Sequence, residues 1–465
     1  MDNIELKEKL EINKKNIWLG YNEEERKEIN EFNELYKGFL EYAINEKRVV
    51  NLIEKVLKSR GYEDIKNLET LKEGSKVYFV NRGKSIYAAE IGKDLLKGMN
   101  IIGMHGDSPR LDLKQIPFYE DYDLGFAKTN IYGGIKKHQW VTIPLMLVGD
   151  VYKVNGEKIE VCIGEEETDP VFTITELLPH LASKQMQGNA KEFINPEQLN
   201  VLIAGTPIKD EKGSVKLNIL KMLNEKYGIV EEDLGSAELM LVPQFKAKDV
   251  GLDRSFIGSY GQDDRSSVYT GLRAFLDTNL NEDRTKMLLV SDKEEVGSLG
   301  NTGMESKTFD YFVELILNKL GINYPGAILE VYNNSKMLSA DVTAGIDPNY
   351  IDVHEVINDP VLNGGICITK YTGGLGKSNS SDANPKFIAE IRKIFKNANV
   401  KYQYAAFGKQ GIGGGGTIAY ILANKGVEVL DCGVCMLSMH SPFEVTSKAD
   451  IYEQYKAYKA FYDAK

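Results

Sequence analysis

The sequence predicts an α/β fold in which a sheet is sandwiched by helices, interrupted by an inserted β-rich block. Two observations carry this. Strand-like and helix-like runs alternate at both ends of the chain, and the texture changes between residues 116 and 252 to short β-like pieces broken by glycines and charges. The 465 residues allow more than one domain, at about 150 residues each.

The opening segment, to about Arg60, is helical in pattern: Leu35, Phe39, Leu40, Ala43, Val49, Val50, Ile53, Val56 and Leu57 recur at helical spacing, and Gly61 punctuates the end. Strand-like runs follow at 76–81, 85–91 and 99–104, the last running into HGDSPRLDLK. In the middle block, VTIPLMLVGDVYKV and SAELMLVPQF read as strands flanking a helical piece. Beyond it, RSSVYTGLRAFLDTN reads as a helix with Val268, Leu272, Phe275 and Leu276 on one face, KMLLVSD as a strand and SKTFDYFVELILNKLG as a helix. SKMLSAD is a short strand, PKFIAEIRKIFKNANV a helix, KYQYAAF a strand, VEVLDCGVCMLSMH one long buried strand and SKADIYEQYKAYKAFY a helix.

Hydrophobic residues make up 42% and charged residues 27%, ordinary values for a soluble globular protein. A formal net charge of −11 argues against nucleic acid or an anionic membrane as partner. The N-terminus has no apolar core of a secretory signal, and no apolar run approaches the roughly 18 residues of a membrane helix. Four cysteines make no disulfide framework in a chain of this length, so the expected compartment is the cytoplasm.

Five segments place a metal-competent side chain at or just after a strand-like run: His105, Asp263, the pair Glu294 and Glu295, Asp341 and His440. In open α/β sheets, sites form beyond the carboxyl ends of strands, so five such segments can converge on one crevice. Histidines and carboxylates without a thiolate suit a hydrolytic Zn²⁺ or Mn²⁺ centre. There are only five histidines, although a single histidine at a strand end is often structural. Asp107 shares a face with His105 in extended backbone and can orient its imidazole; an Asx-turn before Pro109 is the competing reading. Glu294 and Glu295 lie between a buried strand and a glycine turn, where one carboxylate can bind metal and the other take a proton from water. The acidic runs 165–167 and 231–233 lack that context and read as solvated loops. Asp263–Asp264 can supply a bridging carboxylate between two cations about 3.5–4 Å apart.

Two motifs suggest other chemistry. Cys432-x-x-Cys435 has no second pair and sits in an apolar run, which makes both thiols buried and inert. Gly411-x-Gly413-x-x-Gly416, with Asp431 beyond it, matches a dinucleotide fingerprint. The turn from Phe407 is too long for the tight first βα loop, and Asp431 falls within the predicted long strand. Glycines here, Gly414 and Gly415 among them, instead let backbone N–H groups approach a substrate.

Taken together, MHGDSPRLDLK, IYGGI followed by Trp140, GQDDRSS, SDKEEVGSLGNTG, SKMLSADVTAGIDPNY, GGTIAY and DCGVCMLSMHSPFE resemble the aspartyl aminopeptidase and vacuolar aminopeptidase I family, metallopeptidase family 18. The stretches run in the family's order from about residue 100 to 445. The resemblance implies a zinc-peptidase-like catalytic domain with a mixed sheet, made of residues 1–115 and 253–465, and an inserted dimerisation domain over 116–252. It implies two divalent ions, Zn²⁺ or else Mn²⁺ or Co²⁺. His105 and Asp341 would hold one and Glu295 and His440 the other, bridged by Asp263. Glu294 would be the general base and Asp107 the partner of His105. It further implies hydrolysis of single residues, acidic or neutral, from peptides with a free N-terminus, and a tetrahedral homododecamer.

The chain departs from relatives of the mammalian aspartyl enzyme in several places. Thr142 and Ile143 follow Trp140-Val141 in place of Asp-Arg, and Thr343-Ala344 then Asp347 replace an Ala-His pattern. Lys184, not histidine, stands where a residue would reach a neighbouring active site, while His180 answers to a different family position. Lys370 lies near a lysine that reads acidic side chains, or is an exposed strand-end lysine. These changes leave the choice between acidic and neutral N-terminal residues open. The competing functions are a dinuclear amidohydrolase of non-peptide amides, a non-enzymatic assembly protein that kept the fold, and nicotinamide binding.

Overall fold

A computed structural model describes residues 3–12, 15–209, 214–280, 283–374 and 378–464. The chain divides into two compact units, Met1–Asp107 with Ala247–Met439 and Glu444–Lys465, and Ser108–Lys246 with His440–Phe443.

A nine-stranded mixed sheet forms the first unit. Its order is Glu63–Asp64, Lys76–Asn81, Ser85–Glu90, Thr285–Ser291, Met99–His105, Lys336–Ser339, Glu428–Asp431, Ile366–Thr369 and Tyr402–Ala405. The central strand Met99–His105 runs parallel to both neighbours, with His105 level with Ser291 and Gly103 level with Ser339. Chain ends at 105, 291 and 339 therefore emerge on one side of the sheet.

Side chains along these strands alternate between two cores, because successive residues of a strand point to opposite faces. Ile102, Met104, Leu288, Val290, Leu338 and Leu430 enter one core with the helices Glu23–Tyr42, Glu46–Ser59, Gln262–Asp277, Pro385–Asn397 and Lys448–Asp463. Met99, Ile101, Met287, Leu289, Met337 and Val429 enter the other, with Thr308–Lys319, Ala327–Asn333 and Ala419–Ala423. Both faces are dry, which is why the strands read as nearly continuous apolar runs. The helix starts are written locally: Asn22 and Glu25 form a reciprocal capping box, and the Asn45 and Ser447 side chains accept from the third amide of their helices.

The second unit carries a seven-stranded antiparallel sheet, with the helix Val215–Tyr227 started by Ser214 and stopped by left-handed Gly228. The expected block at 116–252 is displaced, for a reason visible in the pairing. Residues 110–113 already pair with Leu124–Tyr132, and Asp112 and Leu111 with Ala237–Pro243, which takes them out of the first unit. Lys248–Val250 pairs with Phe256–Ser259 and so belongs to the first.

VEVLDCGVCMLSMH is also not one strand. Glu428–Asp431 ends in the large sheet, and Cys435–Leu437 joins a separate five-stranded sheet. Gly433 makes the switch: a Cβ there would stand 2.0 Å from the Asp341 carbonyl oxygen. Of the acidic run 231–233, Asp233 is buried and accepts from the Val230 amide instead of facing solvent.

Candidate active site

His105 ends the central strand and is buried. Its Nδ1 lies 3.1 Å from the Asp107 carbonyl oxygen and 3.4 Å from the Asp107 carboxylate, so the proton belongs on Nδ1 and the lone pair on Nε2. Nε2 is buried and makes no hydrogen bond. It faces Asp263 Oδ1 at 3.4 Å, Asp341 Oδ1 at 3.9 Å and Glu294 Oε2 at 4.0 Å. Ligand atoms of His105, Asp263 and Asp341 fall within 4.8 Å of one another. A buried lone pair ringed by carboxylates fits a divalent cation, which takes one neutral imidazole and several oxygens.

Each side chain reaches this point for a local reason. Asp263 and Asp264 precede the regular turns of their helix, since both have non-helical backbone angles; the peptide bond between them is cis. Asp264 accepts from the His105 amide at 3.3 Å. Glu294 and Glu295 open a single 3₁₀ turn after left-handed Lys293 (φ 64°). The Asp107 carboxylate holds that turn as well, accepting from the amides of Glu294 and Glu295 at 3.2 Å each. Asp107 therefore ties the imidazole and the glutamate pair to one anchor. Asp341 follows the parallel strand Lys336–Ser339 by two residues.

The electrostatics follow from burial and crowding. Burial alone would lower His105, but Asp107, Asp263 and Asp341 outweigh it and hold the ring well above its ordinary value, so that without a cation Nε2 draws a proton in its place. Asp341 is pushed well above the usual carboxylate range by burial, with Glu294, Asp263 and Asp431 adding to it and His105 opposing. Asp264 rises for the same reasons, burial first and then the Asp341 charge. A pocket that pulls positive charge onto its histidine while discouraging ionisation of its acids is one that a divalent cation relieves.

The remaining candidates fall in different places. His440 belongs to the second unit, where its Nδ1 lies 2.8 Å from the Gly134 carbonyl oxygen, which again leaves the lone pair on Nε2. Lys370 follows Ile366–Thr369, pairs with the Asp382 carboxylate, and stands 3.8 Å above the Tyr371 ring. Gly414 has φ 132°, and the Gly415 carbonyl accepts from the Gly373 amide at 2.7 Å. Trp140 is buried, whereas His180 and Lys184 are exposed. Cys432 and Cys435 are buried, unbridged thiols, with Cys432 pushed up by burial.

Against the dinucleotide pattern, the mid-strand position expected for Asp431 does not hold, while other observations take its place. Asp431 is the last residue of its strand, not a middle one. Its buried carboxylate is engaged, however, by the hydroxyls of Thr417 at 2.6 Å and Thr372 at 3.2 Å, and the helix that follows the glycines has five residues. Separately, a surface cavity of about 570 Å³ lined by Asp94, Lys97, Arg284 and Glu330 flanks the starts of the parallel strands, the end opposite His105.

Sequence reasoning passed over Glu444. It is buried at the start of Glu444–Ser447 and accepts from the amides of Gln262 and Asp263 at 2.7 and 3.2 Å. Its signal was present, an acid inside an otherwise sheltered strand, but strand patterns carry no information about which distant amide such an acid meets.

A mixed sheet with histidine and carboxylates gathered beyond its parallel strands defines a metal-dependent hydrolase. Residues 39–462 match the model of the aminopeptidase I zinc metalloprotease family, M18. A probable M18 family aminopeptidase 1 of Clostridium acetobutylicum is 48% identical over 454 residues, covering 96% of this chain and 97% of that protein. The crystal structure of an M18 aminopeptidase from Thermotoga maritima superposes with a TM-score of 0.94 at 41% identity, covering 97% of this chain and 100% of that one. The S. cerevisiae mApe1 dodecamer structure, 23% identical, has the same fold with a TM-score of 0.73 over 93% of this chain and 95% of that one. The chain belongs to the M18 family and is a metallo-aminopeptidase, an exopeptidase hydrolase.

Proposed function

We propose that this chain removes one residue at a time from the free N-terminus of peptides, using two divalent ions, zinc by preference, with Glu294 as general base. His105 and Asp341 would hold one ion, Glu295 and His440 the other, and Asp263 would bridge them. The observation that carries the reading is the buried Nε2 of His105, unsatisfied by any hydrogen bond and faced by the Asp263, Asp341 and Glu294 carboxylates. The Nδ1 of His440 faces the Gly134 carbonyl oxygen, which gives its ring the tautomer of a ligand.

Ions bound there supply Lewis acidity, acidifying a water and polarising the scissile carbonyl. The protein's own groups do the rest. Glu294 takes the proton of the attacking water and returns it to the departing amine. The Asp107 carboxylate fixes the position of that base by accepting from the Glu294 backbone amide, and keeps the His105 proton on Nδ1. Backbone N–H groups of the glycine-rich segment, including Gly414 and Gly415, would bind substrate carbonyl or terminal groups. Lys370 would meet an acidic first side chain only by leaving Asp382, so acceptance of both neutral and acidic residues is the reading that fits.

The deciding experiment measures metal content and turnover of a panel of aminoacyl p-nitroanilides for wild type and Glu294→Gln. The variant is expected to keep its metal while turnover falls by about 10²–10⁴. Full activity would reject Glu294 as base. N-acetylation should abolish cleavage by the wild type, and efficient hydrolysis of the acetylated series would point to an amidohydrolase. Self-association into a tetrahedral homododecamer in the cytoplasm, with the second unit as dimerisation domain, belongs to the same proposal; a yeast protein of this fold is described as a dodecamer.

A further inference from the structure

The backbone at Asp263 is held from behind by a hydrogen-bond network that includes the Glu444 side chain. Oε2 of Glu444 accepts from both the Gln262 and the Asp263 amides, at 2.7 and 3.2 Å. Gln262, itself fully buried, has its amide group saturated: Nε2 donates to the carbonyls of Glu444 (2.8 Å) and Ile257 (3.1 Å), while Oε1 accepts from Thr446 (2.6 Å) and Tyr36 (3.2 Å). Glu444 lies on Glu444–Ser447, in register with Ser259 of the strand that leads into this turn. The backbone that presents the Asp263 carboxylate is thus bonded to a neighbouring strand through side chain and main chain together.

We infer that Glu444 is a positioning residue for the metal centre: its reach to two consecutive amides sets where the Asp263 carboxylate stands, and so sets metal affinity. The inference rests on Asp263 being a ligand. Nothing in the arrangement asks Glu444 to touch substrate. Two amides on one oxygen require a side chain of full glutamate length, whereas a negative charge alone could be supplied by aspartate. Partners of this kind, removed by mutation, typically cost about 10–100-fold in metal affinity.

Length and charge separate in two variants. Glu444→Gln keeps the reach and an accepting oxygen but loses the charge; Glu444→Asp keeps the charge but withdraws the oxygen by a methylene. Zinc affinity is read by competition with a chromophoric chelator, on protein first stripped with EDTA, together with the melting temperature of the stripped form. The expected result is affinity within about threefold of wild type for Glu444→Gln and a loss of about tenfold or more for Glu444→Asp. Stripped-form melting temperatures should not follow that order. Wild-type affinity in Glu444→Asp overturns the inference, as does a Glu444→Gln variant that loses as much as Glu444→Asp. Melting temperatures that track the affinities reduce Glu444 to a structural role. Asp263→Asn is the companion: if it binds zinc as wild type does, the ligand assignment itself has failed. If it does not, an intact Glu444→Asp condemns only the positioning role.

Discussion

At the scale of single residues, Asp107 links three groups of the candidate centre. One carboxylate meets the His105 ring and the amides of both Glu294 and Glu295. Asp107→Asn removes the charge and half of the accepting capacity, so zinc affinity should drop about 10–100-fold and turnover with it; equilibrium dialysis against buffered zinc reads the first. A variant that keeps wild-type affinity would make Asp107 merely a turn residue. Much of this was legible in the sequence. His105, Asp263, Glu294 and Asp341 were singled out because each follows an apolar run, and the structure brings the three carboxylates within 4.0 Å of the His105 Nε2. The second amide-binding task of Asp107 was hidden, because it joins positions nearly two hundred residues apart that no local pattern relates.

Elements succeed where periodicity is undivided and fail where a close approach interrupts it. The helices Gln262–Asp277 and Lys448–Asp463 and the strand Thr285–Ser291 lie where their spacing put them. The predicted strand across Asp431 and Cys435 breaks, because apolar content says only that a segment is sheltered, not that it stays in one sheet. Gly433→Ala tests that break. Its methyl would displace the Asp341 backbone, so a stability loss of about 1–3 kcal/mol by urea denaturation is expected, together with reduced zinc content. Lys448–Asp463 carries a second test. Asp450 is buried and accepts from the Asn363 and Gly365 amides at 2.7 Å each; burial raises it to about 8, against those bonds, with Glu453 adding. A raised carboxylate keeps its proton in the fold while the unfolded chain has lost it. Its stabilising share is therefore complete below about pH 4 and lost as pH climbs toward 8. Urea midpoints of wild type minus Asp450→Asn should fall across that interval; a difference that stays flat or rises would refute the assignment.

For the whole molecule, two predictions concern what the chain binds. Exhaustive chelation should abolish peptidase activity and lower the melting temperature, and zinc should restore both, since ions that bind only the folded state stabilise it. Light scattering coupled to gel filtration should give about twelve times the mass of one chain; a monomer would remove the proposed assembly. Texture placed an inserted block at 116–252, whereas the second compact unit takes in Ser108–Lys246 with His440–Phe443. Residues 110–115 read as the tail of the first unit, but their strand pairs inside the second, and pairing across more than a hundred residues leaves no local trace.

The order of strands in the large sheet has one more consequence. His105 lies on the middle strand, yet both its neighbours, Thr285–Ser291 and Lys336–Ser339, are synthesised at least 180 residues later. A nascent chain still emerging from the ribosome cannot complete the middle of this sheet, and any fragment ending before Lys336 lacks one of the two strands that flank His105. The strand that carries His105 is thus enclosed on both sides only after Thr285–Ser291 and Lys336–Ser339 have been made.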